Sequence, residues 1–304
     1  MSDERTSPEK REPREPRGAA GDSNHDASHS NPSKQDASQQ DKPKQERLKQ
    51  PAKDLLPLLK GWDYEPGTIN VRKIFGIDGQ PKVQMRLELG ILQMEITGRP
   101  DGARPHGHES LLDYLETQLK DHHKRHGSEL GFHLTGAQCQ SLREEAQLYY
   151  QRYLSLFVLE DFKGVVRDTA RNLRVLDLCG KFAVEEQDRL MLEQFRPYIV
   201  MMNARASASI AFKAEKFADA LAVITAALDN IREFFAAVGQ PEAFSQSSEV
   251  RVLRRFARDI RRKMPVDPMQ KLQNQLERAV RDERYEEAAR LRDEIRQKNT
   301  PAVE

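Results

Sequence analysis

The sequence predicts an α+β protein that is mainly α-helical, with a disordered N-terminal tail, a small antiparallel β-sheet, a helical body and a C-terminal helical hairpin. Three observations predict this class. The first fifty residues hold almost no large apolar side chain, residues 68–96 alternate with a period of two, and the chain after residue 108 shows apolar spacings of three and four. We place the four segments at 1–53, 54–105, 106–264 and 267–298.

The N-terminal tail has nothing to bury. Between Met1 and Gln50 the sequence contains no aromatic residue, Val, Ile or Cys, and Leu48 is the only large aliphatic residue after the first Met. Ten basic residues face ten acidic ones there, mixed with Pro, Ser, Gln and Asn. This composition cannot offset the entropy of ordering the chain, so it predicts disorder.

The overall composition argues against several functional classes for this protein. The net charge is +1, which gives no electrostatic footprint for nucleic acid at the level of the whole chain. The absence of an eighteen-residue apolar run argues against membrane insertion, and the absence of an apolar stretch behind a basic start argues against secretion. Cys139 and Cys179, the two cysteines, do not form a disulfide framework. We therefore expect a cytoplasmic protein that does not contact membranes.

A short amphipathic lead-in at residues 54–60 precedes the predicted sheet. Apolar residues alternate from Ile69 to Phe75 and again from Val83 to Leu89, and Asp78-Gly79 stands between the two runs as a hairpin turn. Gly90 allows a bulge or bend before a third run that ends at Ile96. We expect about three antiparallel strands that pack on the helices that follow.

The helical body begins at residue 106. Ser110 and Thr135 are predicted N-caps of its first two helices, and Gly127 and Gly131 separate them. Three later segments align on Phe162, Phe217 and Tyr285, each after a short charged turn. Around Phe217 the spacing of small residues resembles a tetratricopeptide repeat, although Arg232 stands where that pattern has Pro. The body is thus predicted to be either a tetratricopeptide-like stack or an ordinary helical bundle.

Residues 250–263 predict a basic amphipathic helix. Val250, Leu253, Phe256, Ala257 and Ile260 form its apolar face. Its arginines are candidates for contact with phosphate or an acidic partner: Arg251, Arg254, Arg255, Arg258, Arg261 and Arg262. In the competing interpretation, these arginines pair with acids elsewhere in the chain.

Signatures of catalysis are missing from the sequence. No phosphate-binding loop, GxSxG or GxGxxG occurs, so we expect no enzymatic activity and no cofactor. Six of the eight histidines fall between His106 and His133, and His122 and His126 share a helix face at i,i+4. They are weak metal candidates, because no HExxH pattern accompanies them; a solvent-exposed helix end is the competing interpretation.

The C-terminal hairpin is the strongest signal. Asp267 is a good N-cap and Pro268 a good first helical residue. Apolar residues recur at helical spacing before and after a polar turn at residues 281–284, and a second helix begins at Tyr285. A segment this short seldom buries enough apolar surface to be stable alone. We therefore expect the apolar stripe along its two helices, which we call the seam, to be covered by another surface.

These residues resemble the UVR motif, the helical hairpin of the bacterial excision-repair subunits UvrB and UvrC, also found in ClpC-type unfoldases and McsA-like activators. The resemblance covers residues 269–298 and implies protein–protein docking, not catalysis. The zinc-binding CxxC pairs of McsA-like relatives are absent here. The residues predicted to bind a partner are Leu272, Leu276, Ala279, Val280, Tyr285, Ala288, Ala289, Leu291, Arg292, Asp293 and Ile295, with Arg292 and Asp293 as the charged specifying pair.

The sequence therefore favours a non-enzymatic interaction or adaptor protein that docks a partner or self-associates through this hairpin. The expected partner is another UVR-containing protein or a second copy of the chain. In the alternative, the chain is a nucleic-acid-associated accessory of nucleotide excision repair that uses the helix at 250–263. A hairpin packed on its own helical domain is the structural alternative.

Overall fold

The computed structural model describes residues 54–265 and 268–299, so the tail predicted at 1–53 lies outside the described residues. Three strands form a small antiparallel sheet and the remaining elements are helices, which confirms the predicted fold class. In chain order the elements are α1 (Leu56–Leu59), β1 (Val71–Phe75), β2 (Pro81–Leu87), β3 (Gly90–Glu95), α2 (Leu111–His126), α3 (Gly136–Val158), α4 (Phe162–Phe182), α5 (Glu186–Leu190), α6 (Arg196–Lys213), α7 (Phe217–Ala237), α8 (Ala243–Gln246), α9 (Ser248–Lys263), α10 (Pro268–Arg281) and α11 (Tyr285–Asn299).

The sheet follows the predicted order β1-β2-β3, with each neighbouring pair antiparallel. The Asp78-Gly79 turn is confirmed, and Gly79 takes a φ of +71° that suits glycine. Leu89, predicted as the end of the second strand, lies instead in the turn between β2 and β3 and is 91% exposed. Gly90 is not a bulge but the first residue of β3, because it pairs with Leu87 and closes the hairpin.

The sheet has no core of its own. Val83, Met85 and Met94 on its inner face belong to the same buried apolar cluster as the helices from α3 to α9. Val83 and Met94 are also direct cross-strand partners, so one side of the sheet is closed by the helical body. The predicted packing of the sheet on the helices is therefore present.

A buried ion pair ties the sheet to two helices. Arg152 of α3 is 0% exposed and donates two hydrogen bonds to Asp168 of α4, at 2.7 and 2.8 Å. Its remaining donor group reaches the backbone carbonyls of Glu95 and Gly98, at 3.0 and 2.8 Å, where β3 ends. A buried charge is tolerated when it is paired and its other donors are satisfied, and this geometry meets both conditions.

The two predicted N-caps are confirmed. Ser110 accepts a hydrogen bond from the backbone of Asp113 at the start of α2, and Thr135 forms a reciprocal capping box with Gln138 at the start of α3. Glu145 of α3, itself buried, also accepts from the first two backbone N–H groups of α2. This carboxylate anchors α2 to the rest of the body.

Helices of the body stack in sequence. The pair α3–α4 packs on the pair α6–α7 through α4 and α6, and α9 then packs against α6 and α7. No helix among the described residues is long and apolar enough to cross a membrane.

The three segments that align in the sequence have the same turn geometry. Glu160, Glu215 and Glu283 each adopt a left-handed φ, between 56° and 58°, directly after a helix. In each turn the backbone N–H of the next residue bonds five residues back, as in Arg284 N to Ala279 O at 2.8 Å. This is the pattern of a Schellman motif with glutamate in the place where glycine is common.

We call the glutamate of each turn and its two flanking apolar residues a turn site. Turn site 1 is Phe157, Glu160 and Phe162; turn site 2 is Phe212, Glu215 and Phe217; turn site 3 is Val280, Glu283 and Tyr285. In sites 1 and 2 the two rings meet edge to face, with their centroids 5.6 Å apart. The repeated local geometry explains why these segments align in the sequence.

Candidate interaction surfaces

The predicted helical hairpin is formed by α10 and α11, with its turn at residues 282–284. Turn site 3 closes the first helix, and Tyr285 begins the second, as the sequence predicts. Arg284 is held at the turn by ion pairs with Asp282 and Glu287, at 2.9 and 2.7 Å. These bonds fix the sharp reversal that brings the two helices together.

The two helices bury one another's apolar stripe. Leu272 and Ala279 from α10 and Ala288 and Leu291 from α11 are each less than a tenth exposed, and they form a separate cluster with Leu276 and Ile295. Ala279 and Ala288 stand on either side of the turn and allow the helices to approach closely. Six of the eleven predicted partner-binding residues therefore lie in the hairpin's own core, and the expectation that another surface covers this seam is not met for them.

The other five predicted residues lie on the outside of the hairpin. Val280 and Tyr285 are 52% and 68% exposed, and Ala289 is exposed one turn after Tyr285. Arg292 and Asp293 are also exposed, with 3.4 Å between their charged groups. Helical periodicity alone did not separate the two groups, because a residue next to a buried position, such as Val280 beside Ala279, lies only about 100° around the helix.

The hairpin packs chiefly on itself. Within residues 54–265 and 268–299, neither α10 nor α11 packs extensively against another helix or strand, and the hairpin's apolar cluster contains no residue of the body. The alternative in which the hairpin packs on its own domain thus finds no support among the described residues. The outer face with Val280 and Tyr285 stays open to solvent.

Helix α9 is the second exposed surface of note. Val250, Leu253, Ala257 and Ile260 are buried in the core as predicted, and Phe256 packs against it. All six candidate arginines of α9 are exposed. In the described part of the chain their only ion pair joins Arg262 to Asp259 of the same helix, at 3.8 Å. The interpretation that these arginines pair with acids on other elements is therefore not what the described residues show.

The histidine cluster is divided in the structure. His122 and His126 lie with ring centroids 4.5 Å apart, but Nε2 of His122 is hydrogen-bonded at 2.9 Å to the carbonyl of Leu130. His106 stacks instead on Tyr114 at 4.0 Å. The described residues contain no group of three or more His, Cys, Asp or Glu side chains arranged to hold a metal ion.

The two cysteines are neighbours, which their forty-residue separation did not indicate. Cys139 of α3 and Cys179 of α4 are both free thiols, buried in the apolar cluster that joins α2, α3 and α4. Burial, together with the adjacent Cys139 thiol, raises the pKa of Cys179 to about 12. Both groups are thus held protonated, as inert core residues.

A groove of about 510 Å³ lies between α3, α4, α6 and the start of α9, and no sequence motif predicted it. Tyr150 and Tyr198 line it together with Leu192. Its strongest polar groups already have partners within the protein: Arg143 pairs with Asp188 at 2.6 Å, and Asn172 donates to a backbone carbonyl at 3.0 Å. The groove therefore presents no convergent set of unpaired polar groups to a ligand.

The hairpin is the segment of this chain that matches a known protein family. Residues 268–299 match the family model described as UvrB/uvrC motif. A search of curated proteins and of solved structures returned no match. The predicted UVR resemblance is thus confirmed for the hairpin as a segment, and α10 with α11 forms a UvrB/uvrC motif, a module of protein or DNA interaction in repair-related proteins.

Proposed function

We propose that this protein is a non-enzymatic adaptor that docks a protein partner through the outer face of its UVR hairpin. The observation that carries the proposal is the exposure of Val280 and Tyr285 on a hairpin whose inner stripe is already closed. A tyrosine and an arginine on an ordered helix are typical of the residues that dominate binding energy in protein interfaces. Cytoplasmic localisation and the absence of catalysis remain part of this proposal.

The charged residues beside this apolar patch give the docking surface its selectivity. Arg292 and Asp293 are 71% and 62% exposed at the side-chain level, so each is available to a partner at little desolvation cost. Exposed charges at the rim of an interface steer association and reject mismatched partners more than they add affinity. We therefore expect Arg292 and Asp293 to affect the choice of partner, and Val280 with Tyr285 to supply most of the affinity.

The test is an affinity purification with the tagged full chain from cells of the source organism. The Val280→Asp/Tyr285→Asp variant changes two exposed residues, so the hairpin core stays intact and helical content should be unchanged. We expect this variant to lose the hairpin-dependent partner. Val238→Asp, an exposed position at the end of α7, is the matched control and should retain the partner. An identical set of captured proteins for the wild type and the double variant would contradict the proposal.

A second candidate function is contact with nucleic acid through α9. It is favoured by the six exposed arginines, whose charge is not neutralised by acids of other described elements. Residues three and four apart lie on one face of a helix, so these arginines form a continuous basic strip. Phosphate contacts of this kind release counterions and make binding strongly dependent on salt.

Binding of the full chain to a DNA duplex, measured at several salt concentrations, tests this candidate. Changing Arg254, Arg255, Arg261 and Arg262 to Gln should weaken the binding and reduce its salt dependence. The control removes four positive charges elsewhere, with Lys120, Lys124, Lys163 and Lys181 changed to Gln. No binding of the wild type at low salt, or equal loss in both variants, would remove this candidate.

A further inference from the structure

The body covers its own two turn sites with the basic end of a neighbouring helix. At turn site 1, Lys213 places its Nζ 2.7 Å from the carboxylate of Glu160 and 4.9 Å from the centre of the Phe162 ring. At turn site 2, Nζ of Lys263 lies 5.5 Å from the centre of the Phe212 ring. Lys213 and Lys263 are the last residues of α6 and α9. A cation over an aromatic face is attracted by the charge distribution of the ring.

Turn site 3 has the same backbone geometry, with Val280 and Tyr285 in place of the two phenylalanines, but no such cover among the described residues. Val280 and Tyr285 are more than half exposed, and Glu283 is exposed. Glu283 forms no ion pair with any residue in 54–265 or 268–299, whereas Glu160 at the equivalent position is paired with Lys213. Turn site 3 is thus an open acceptor for a cation.

The hairpin also carries the matching donor. Arg281 is the last residue of α10 and stands four positions before Tyr285, as Lys213 stands four positions before Phe217. Its side chain is exposed and has no ion pair among the described residues. In the body, Lys213 does not cover the turn that follows it in its own helix pair; it covers turn site 1 of the preceding pair.

Within the body, Arg281 has no uncovered turn site to bind. Turn site 1 already holds Lys213, and turn site 2 already holds Lys263, so Arg281 meets no vacant turn site there. Of the three turn sites, turn site 3 is the one with no cation over a ring among the described residues, whereas turn site 2 has Lys263 near the Phe212 ring although Glu215 is unpaired. Every copy therefore carries one unpaired donor, Arg281, and one uncovered acceptor, turn site 3. In the body, contacts of this kind join separate helix pairs. The donor of one copy is thus complementary to the acceptor of another copy.

We propose that turn site 3 binds a second copy of this chain head to tail, with Arg281 of one copy over the Tyr285 ring and paired with Glu283 of the next. The proposal rests on the docking role of the hairpin and names its occupant. In this head-to-tail arrangement each copy turns Arg281 to one neighbour and turn site 3 to another, so the contact is heterologous and leaves one free donor and one free acceptor at the ends of an assembly. Its dependence on exposed charges makes it weaker at high salt.

Sedimentation velocity of the full chain over a wide concentration range tests the proposal. The wild type should associate reversibly. Arg281→Glu and Glu283→Lys should each raise the apparent dissociation constant about tenfold or more, because each reversal puts like charges together. Lys271→Glu reverses an exposed charge on α10 about 15 Å from the tip and should leave association unchanged.

Mixing two neutral variants, Arg281→Ala and Glu283→Ala, distinguishes a head-to-tail contact from other arrangements. The Glu283→Ala copy keeps its Arg281, and the Arg281→Ala copy keeps its Glu283 and Tyr285, so this mixture has one matched contact and should form dimers that grow no further. The double variant, with both charges reversed, should regain association through the swapped pair. Circular dichroism of each variant verifies that helical content is retained.

Three results would overturn the proposal: a wild type that stays monomeric at every concentration, reversals that associate as well as the wild type, or a mixture that forms no dimer. A monomeric wild type that still captures another protein through Val280 and Tyr285 would remove this inference and leave the proposed adaptor role intact.

Discussion

At the scale of single residues, Arg152 and Asp168 form an ion pair that lies wholly inside the body. Both side chains are completely buried, and Arg152 also satisfies two carbonyls at the end of β3. Removing one partner leaves an uncompensated charge in the core. Nothing in the sequence distinguishes this arginine from those on the surface, because its partner is sixteen residues away and its carbonyl acceptors are more than fifty residues away.

We predict that Asp168→Asn lowers the free energy of unfolding by about 3–5 kcal/mol, because the Arg152 charge stays buried without its counter-charge. Urea unfolding followed by circular dichroism measures the loss. Arg174→Met, which removes an exposed arginine of the same helix, is the control and should cost about 1 kcal/mol or less. A loss for Asp168→Asn no larger than that of the control would show that the buried pair adds nothing.

Alkaline pH should destabilise the fold, because buried thiol and phenol groups keep their protons in the folded protein. Burial raises the pKa of Cys179, Tyr149 and Tyr198 to about 12, from usual values of 9.0 for the thiol and 10.0 for the phenols. Above about pH 9 the unfolded chain releases these protons and the folded protein keeps them. The free energy of unfolding should therefore fall as pH rises from about 9 towards 12.

Urea unfolding midpoints at about pH 8, 9, 10 and 11 measure this effect. The Tyr198→Phe variant removes one of the titrating groups and should show a shallower fall above about pH 10. A midpoint that stays constant up to about pH 11 in the wild type would contradict the assigned burial effects.

At the scale of elements, local signals in the sequence were enough to locate most helices and strands. Ser110 and Thr135 as caps, Asp78-Gly79 as a turn and Tyr285 as the start of a helix are all found where the pattern places them. The turn at Leu89 was missed because its apolar side chain continues the alternation of β2. The exposed face of the hairpin was missed in part because periodicity does not specify which of two adjacent apolar residues faces the partner helix.

The repeated turns make a separate prediction about stability. Glu215 holds a left-handed φ of 58° that costs a non-glycine residue free energy, and its side chain forms no ion pair with another described residue. Glu215→Gly should raise the free energy of unfolding by up to about 1 kcal/mol, since glycine suits this position in a Schellman motif. Thermal unfolding of the full chain measures the change.

Glu160→Gly is the informative counterpart. It relieves the same backbone cost but removes the ion pair with Lys213, so its gain should be smaller than that of Glu215→Gly. A destabilising effect of Glu215→Gly would contradict the assignment of a Schellman turn at this position.

At the scale of the whole molecule, the body and the hairpin have separate apolar clusters. Composition and periodicity predicted a small sheet packed on a helical body and a separate hairpin, but not which residues of the sheet and of the helices meet in the shared core, because contacts between distant segments leave no periodic signal. The match of residues 268–299 to the UvrB/uvrC motif assigns an interaction role to the hairpin and covers none of the body.

This separation predicts the effect of truncation on stability. A chain that ends at Val266 lacks α10 and α11, which form few contacts with other described elements. Its thermal unfolding midpoint should lie within a few degrees of the wild-type value, because the two main clusters of the body are complete. A large drop would mean that the hairpin supports the body.

The same truncation gives the most direct test of the adaptor role. Affinity purification with the intact chain and with the chain that ends at Val266, both tagged at the N-terminus, measures which partners need the hairpin. We predict that the truncated protein, although folded, loses a partner that the intact chain recovers. Recovery of the same partners in the same amounts from both chains would contradict docking through the UVR hairpin.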